Sequence, residues 1–299
     1  MVIQILLTLC LILTAHAEWN GKIIDVRSKK DIPRTELVAI LSLNNIIVIG
    51  EKHYTKEVQI EEGKIISDVV VFAKKENEFS LFWEFLNASS QNETQTLFSK
   101  VITHEISTSE FLIKTQGSAK AVIYSPMIET TISLGGKILG GNLSRDEKAP
   151  VVSGGLAALD PKLLPPGFKL GGPSYLERFT EVMSGHATPE QITRYFAAQS
   201  LVDDSIAYHL YQDSTTSLNF LVIGAFHSMF NDGVVSRLRD RDSSSKIANI
   251  EIIDCSDYTT QEIEDLYLND KYGDRADFIV FVNEPSLNAS EQEATLVIK

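Results

Sequence analysis

Asn45-Ile46-Ile47-Val48-Ile49-Gly50-Glu51-Lys52-His53 is the stretch whose reading decides the fold. A short unbroken Ile/Val run stopped by glycine reads as a strand buried on both faces, the kind found in parallel sheets. Leu218-Asn219-Phe220-Leu221-Val222-Ile223-Gly224-Ala225-Phe226-His227 repeats the arrangement. Both segments end in Gly-x-x-His, so each histidine stands just past the carboxyl end of a strand. Open α/β sheets place their ligands at that edge.

Working outward, Lys56 to Asn77 carries Val58, Ile65, Ile66, Val69, Val70 and Ala73 on one stripe, an amphipathic helix. Phe79-Ser80-Leu81-Phe82-Trp83 follows as a second strand and ends at Glu84. Strand, helix and strand of this length make a βαβ unit with parallel pairing and a right-handed crossover. Further strands are expected at Lys137–Gly140, Ile247–Ile253 and Asp277–Val282, with a short edge strand at Lys22–Val26. Thr188-Pro189-Glu190-Gln191 has the spacing of a helix start, and that helix runs through Ala197, Leu201, Ile206 and Leu210. Residues 150–173 are rich in Gly and Pro and read as a loop or lid insertion, extending to about 190, at the rim of the pocket. The fold class is α/β: a layered, mostly parallel sheet flanked by helices.

The chain has 299 residues and a net charge of -13. An acidic chain without a basic stripe repels phosphate backbones, which argues against nucleic acid as a partner. Residues 1–17 read as a signal peptide, an apolar stretch ending in Ala15-His16-Ala17, which leaves 18–299 as one domain. The stretch is too short to span a bilayer comfortably. Cys10 lies inside it, so Cys255 is the only cysteine of the mature chain. An internal disulfide and a thiolate zinc site are thereby excluded.

Glu51, His53, Glu84 and His227 all fall at strand ends of one polarity and are expected to converge. Imidazole and carboxylate together suit a divalent transition metal, with His53, Glu84 and His227 as ligands. The same four residues suit metal-free acid–base work: one histidine as base, one glutamate orienting it, the other carboxylate holding a substrate. Asn142 ends a strand and is placed at the same edge. Gln199 and Asp203, four apart, share a helix face that would have to turn toward the cleft. His186 precedes a helix start in the lid-like region.

Ile49-Gly50-Glu51-Lys52-His53-Tyr54-Thr55 with Gln59, then Trp83-Glu84-Phe85, resembles the ChaN-like haem-binding proteins of the Tiki/TraB/erythromycin-esterase superfamily. The similarity continues through Gly141–Arg145, Phe196–Ala207 and Gly224–His227 followed by Gly233-Val234, over roughly residues 35 to 285. The resemblance implies an exported, periplasmic or secreted protein of haem or iron uptake, with haem in a pocket often formed at a homodimer interface and with envelope uptake partners. It also implies hydrolase relatives: metal-dependent proteases with paired Gly-x-x-His elements, and esterases with a Glu/His site. The resemblance implies a tyrosine, common in family members after the second histidine, where this chain has Phe230. Tyrosine ligation by that route is therefore lost, and His53, Tyr54, His186, His227 or Met229 remain as iron ligands.

Overall fold

The computed structural model describes residues 19–268 and 271–285; the expected signal peptide, 1–17, lies outside them. Among the described residues eight strands form one sheet: β1 (Ile23–Asp25), β2 (Lys30–Asp31), β3 (Ile46–Glu51), β4 (Phe79–Trp83), β5 (Lys137–Leu139), β6 (Leu218–Gly224), β7 (Ile247–Asp254) and β8 (Phe278–Val282). Their order is β2-β1-β8-β7-β3-β6-β4-β5. From β8 to β5 every neighbouring pair is parallel, and only the β1 edge runs antiparallel. The sheet is thus the mostly parallel one expected, with β3 between β6 and β7 at its centre.

Ten α-helices complete the fold. They are α1 (Arg34–Leu41), α2 (Lys56–Ala73), α3 (Gln91–Ile102), α4 (Thr108–Gln116), α5 (Ser125–Ser133), α6 (Arg145–Gly154), α7 (Pro173–Met183), α8 (Pro189–Asp213), α9 (Gly233–Arg241) and α10 (Thr260–Leu268) among the described residues. Successive strand residues point to opposite faces, and the two faces build separate cores. Ile47 and Ile49 of β3 pack with Phe220 and Val222 of β6 against Ile65, Ile66, Val69 and Val70 of α2. Ile46 and Val48 pack with Leu221 and Ile223 against Ile206 and Leu210 of α8 and Val234, Val235 and Leu238 of α9. Helices on both faces explain why these strands are apolar throughout rather than alternating.

The start of α8 is fixed as its sequence indicates. The capping box closes between Thr188 and Gln191, and Pro189 occupies the first turn. No helix among the described residues is long and apolar enough to cross a membrane.

The 150–173 segment departs from expectation. It begins inside α6, continues as two short 3-10 turns, and packs Leu156, Leu163 and Phe168 onto Leu143, Ala197, Ala198 and Leu201. Its apolar residues cover α8 instead of rimming the cleft between the two histidines, whose lining includes none of them. Composition showed that the segment is irregular; which neighbour it covers depends on the apolar stripe of α8, forty residues away.

Candidate functional site

The two Gly-x-x-His elements interlock at the carboxyl edge of the sheet. Glu51 of β3 is the parallel register partner of Gly224 of β6. A Cβ on Gly224 would lie 2.8 Å from His53 Nε2, and a Cβ on Gly50 would lie 2.6 Å from Ser228 Oγ and 3.3 Å from the Ala225 Cα. Each glycine therefore makes room for the other motif. Each motif needs its glycine because the other stands beside it.

Both histidines are backed by a buried carboxylate. His53 Nδ1 is 2.9 Å from Glu51 Oε1, which also accepts from the Tyr124 hydroxyl at 2.9 Å, while Gln59 Nε2 donates to Glu51 Oε2. His227 Nδ1 is 2.5 Å from Asp203 Oδ1, and the Tyr175 hydroxyl donates to Asp203 Oδ2 at 3.0 Å. Gln199 Nε2 lies 3.0 Å from both His227 Nδ1 and the Tyr175 hydroxyl. A carboxylate on Nδ1 fixes the proton there and turns the lone pair of Nε2 outward.

Glu84 stands between the two Nε2 atoms. Its Oε2 is 3.6 Å from His53 Nε2, and its Oε1 is 3.5 Å from His227 Nε2. The Gly224 amide donates to Glu84 Oε2 at 2.6 Å. Asn142, three residues past β5, donates its Nδ2 to the Glu84 carbonyl at 2.8 Å, so it holds the Glu84 backbone.

The electrostatics follow from this arrangement. Burial lowers the basicity of His53, but the hydrogen bond to Glu51 and the charges of Glu84 and Glu51 outweigh it, and the net direction is upward. His227 behaves alike: burial opposes charging, and the charges of Asp203 and Glu84 reverse it. Lys148 of α6 is a cation at the same site, and its burial lowers its pKa while Glu84 opposes that. Its charge also opposes that of His227. Lys148 carries no sequence signal beyond its place one turn into a helix.

The aromatic surround lies on the His53 side. The Phe85 ring is 4.7 Å from the His53 ring and 5.8 Å from Tyr54, with which it stacks. Tyr54 is exposed and adopts φ 60° at the turn into α2. A cleft of about 430 Å³ opens over both histidines and runs to Glu251, Asp254, Asp257, Tyr258 and Arg275. That volume lies in the usual range for small-molecule pockets, about 300–1,000 Å³.

Four of the residues expected at the site do converge there: Glu51, His53, Glu84 and His227. Gln199 and Asp203 join them, their helix face being turned inward. His186 does not: it is exposed on the turn between α7 and α8, outside the cleft lining. Met229 lies in the turn after His227, and its carbonyl accepts from Arg178. Phe230 packs 4.7 Å from the Arg178 guanidinium and 5.6 Å from Tyr272. Among the described residues no group of three or more His, Cys, Asp or Glu side chains is set to hold a metal ion. The histidines and Glu84 instead stand 3.5–3.6 Å apart as charge partners.

Fold and site define an α/β protein whose two Gly-x-x-His elements present carboxylate-backed histidines at one sheet edge. The chain belongs to the family of haem-binding uptake proteins of the Tiki superfamily, ChaN, which matches residues 37–238. The structure described as cofacial haem binding to ChaN of Campylobacter jejuni superposes with a TM-score of 0.68 at 19% identity, covering 88% of this chain and 97% of that one. At this identity the likeness speaks for the fold. A type III effector (TM-score 0.46, 14% identity, 90% and 98% coverage) is a looser neighbour. So is an erythromycin esterase mutant in its open conformation (TM-score 0.41, 12% identity, 94% and 87% coverage). No curated protein matches the chain.

Proposed function

We propose that this protein is an exported haem-binding protein of haem or iron uptake, and that His53 is its iron ligand. Family membership supports the ligand class. The observation that selects His53 is its pairing: Nδ1 is held by Glu51, Nε2 stands 3.6 Å from Glu84 Oε2, and the ring both lines the cleft and lies against Phe85 of the Tyr54–Phe85 stack. A carboxylate on the far nitrogen strengthens an imidazole as a ligand. His227 is the more enclosed of the two, with 13% of its side chain exposed against 34% for His53. Bound haem supplies an iron open to an axial imidazole; Phe85 and Tyr54 offer flat apolar surface for its ring. Export rests on the reading of residues 1–17, and a homodimer with envelope uptake partners belongs to the same proposal.

Titration of the mature protein with haemin, beside H53A, H227A and Y54F, tests this reading. A saturable Soret shift abolished in H53A and retained in H227A and Y54F is expected, with gel filtration of loaded and unloaded protein reporting dimerisation. A shift that survives H53A, or no shift in the wild type, rejects it.

A second reading rests on Glu84. A carboxylate between two carboxylate-backed imidazoles is suited to hydrolytic acid–base work, one histidine accepting a proton and the other donating it. Ester or peptide hydrolysis by the haem-free protein, lost in E84Q and in both histidine variants, would support it. An inactive wild type against a broad panel would remove it.

A further inference from the structure

β7 runs past the end of its neighbour. Its pairing with β3 stops at Gly50 and Glu251, while its pairing with β8 continues to Asp254 and Val282. Beyond Glu251 it meets no strand on the β3 side, and Ile252, Ile253 and Asp254 form a wall of the cleft. Asp254 then caps the 3-10 turn Cys255–Asp257. Side chains three apart in such a turn eclipse one another, so Asp254 and Asp257 share a side of it, and both line the cleft. Asp254 is only 8% exposed. Its three donors, the Ser256 amide and hydroxyl and Asn283 Nδ2, all reach one oxygen, Oδ1, at 3.0, 2.7 and 2.9 Å. Oδ2 has no donor among the described residues and lies open on the cleft side. The cations of this end leave it uncovered. Arg275 is committed to Glu251 by two bonds of 2.7 Å, and Lys52 Nζ goes to Asp257 Oδ2 at 2.6 Å.

We propose that this end of the cleft is a subsite for the ammonium or guanidinium group of a small organic ligand, which donates to Asp254 Oδ2 and displaces Lys52 from Asp257. Lys52 shows what chemistry the place attracts, and the attachment is loose: its side chain is 62% exposed and that of Asp257 40%. Exposed pairs of this kind contribute little, because water screens the charges and a long side chain must be immobilised. A ligand cation meets both carboxylates, and its hydrogen bonds to them are charge-assisted. Tyr258 lines the same end and adds an aromatic ring to it, a surface that favours cations. Burial opposes the charge on Asp254, but the hydrogen bonds from Asn283 and Ser256 outweigh it, and its carboxyl sits below the ordinary range. Three carboxylates against two cations disfavour an anion here. A haem held on His53 would turn its propionates away from this end, so the subsite and the haem reading stand or fall separately.

Titration of the haem-free wild-type protein with n-butylguanidinium and n-butylammonium, followed by 1H–15N NMR, tests the proposal with no variant needed to fold. Saturable shifts of the amides of 252–258 are expected with either cation, and none with butanol or butyrate at the same concentration. D254N should weaken binding about tenfold or more, because the ligand loses a buried charge partner. K52Q should tighten it about two- to fivefold, because the competing ammonium is gone. Opposite effects at these two positions do not arise from a general loss of fold. Absence of saturable shifts with both cations in the wild type overturns the proposal. So does undiminished affinity in D254N, unchanged or weaker binding in K52Q, or a response of the same amides to butanol or butyrate as strong as to the cations.

Discussion

Gly224 and His53 share one space: a Cβ at position 224 would lie 2.8 Å from His53 Nε2 and 3.4 Å from Glu84 Oε2. The residue that starts the second Gly-x-x-His element thus sets the position of the histidine that ends the first. In G224A the His53 ring has to move off Glu84, since β3 and β6 are locked in register on both sides. We expect a loss of about 1–3 kcal/mol in stability from the overpacked contact. Urea denaturation measures that loss, and haemin titration should show weakened binding alongside it.

Asp203 is fully buried and bonded to both His227 and Tyr175. D203N keeps the shape and removes the charge that most supports a protonated His227. The His227 pKa should therefore fall by about one unit or more, read by histidine NMR. Because an amide offers one acceptor where the carboxylate offered two, stability should drop by about 1–3 kcal/mol.

The dependence of stability on pH follows from the directions at His53, His227 and Glu62. Both histidines have raised folded-state pKa values. Their contribution is complete below the unfolded value of about 6.5 and is lost as pH rises through the folded values. Glu62, completely buried on α2, is raised as well, so the folded state keeps a proton that the unfolded chain releases above about 4.3. Stability then falls with pH from that point. Denaturation from pH 5 to 9 should show this decline, flatter above about 6.5 in H53Q and H227Q and flatter throughout in E62Q. Haemin affinity should run the other way, rising with pH as His53 gives up the proton on Nε2.

Phe230 stands where the resemblance implies a tyrosine, and its ring is packed against Arg178 and Tyr272 at φ 61°. F230Y should therefore not create an iron ligand. The haem-loaded variant is expected to show the wild-type absorption spectrum without a phenolate-to-iron band. Appearance of that band would show that position 230 reaches the haem.

The parallel core was legible because β3, β4 and β6 are apolar runs with at most one polar side chain each, and the stripe of α2 could be counted off at helical spacing. The convergence of Glu51, His53, Glu84 and His227 followed from strand polarity alone. The antiparallel β1 edge was legible as a strand but not in its direction, since pairing with β8 lies more than 250 residues away in sequence. Lys148 and Tyr124 gave no pattern at all. A single polar residue on a helix looks the same whether its face meets solvent or a carboxylate.

What the sequence determined by itself is the set of elements with short-range causes: buried strands from apolar runs, the α8 start from Thr188 and Gln191, and two histidines at strand ends. The tertiary structure decided what each polar group meets. It brought Asp203 of α8 to His227, Tyr124 to Glu51, and residues 150–173 onto α8 rather than over the cleft. The physical reason is that periodicity fixes which residues share a face, whereas the partner of that face is fixed by long-range packing. A buried hydrogen bond between distant residues leaves no local trace in either segment that makes it.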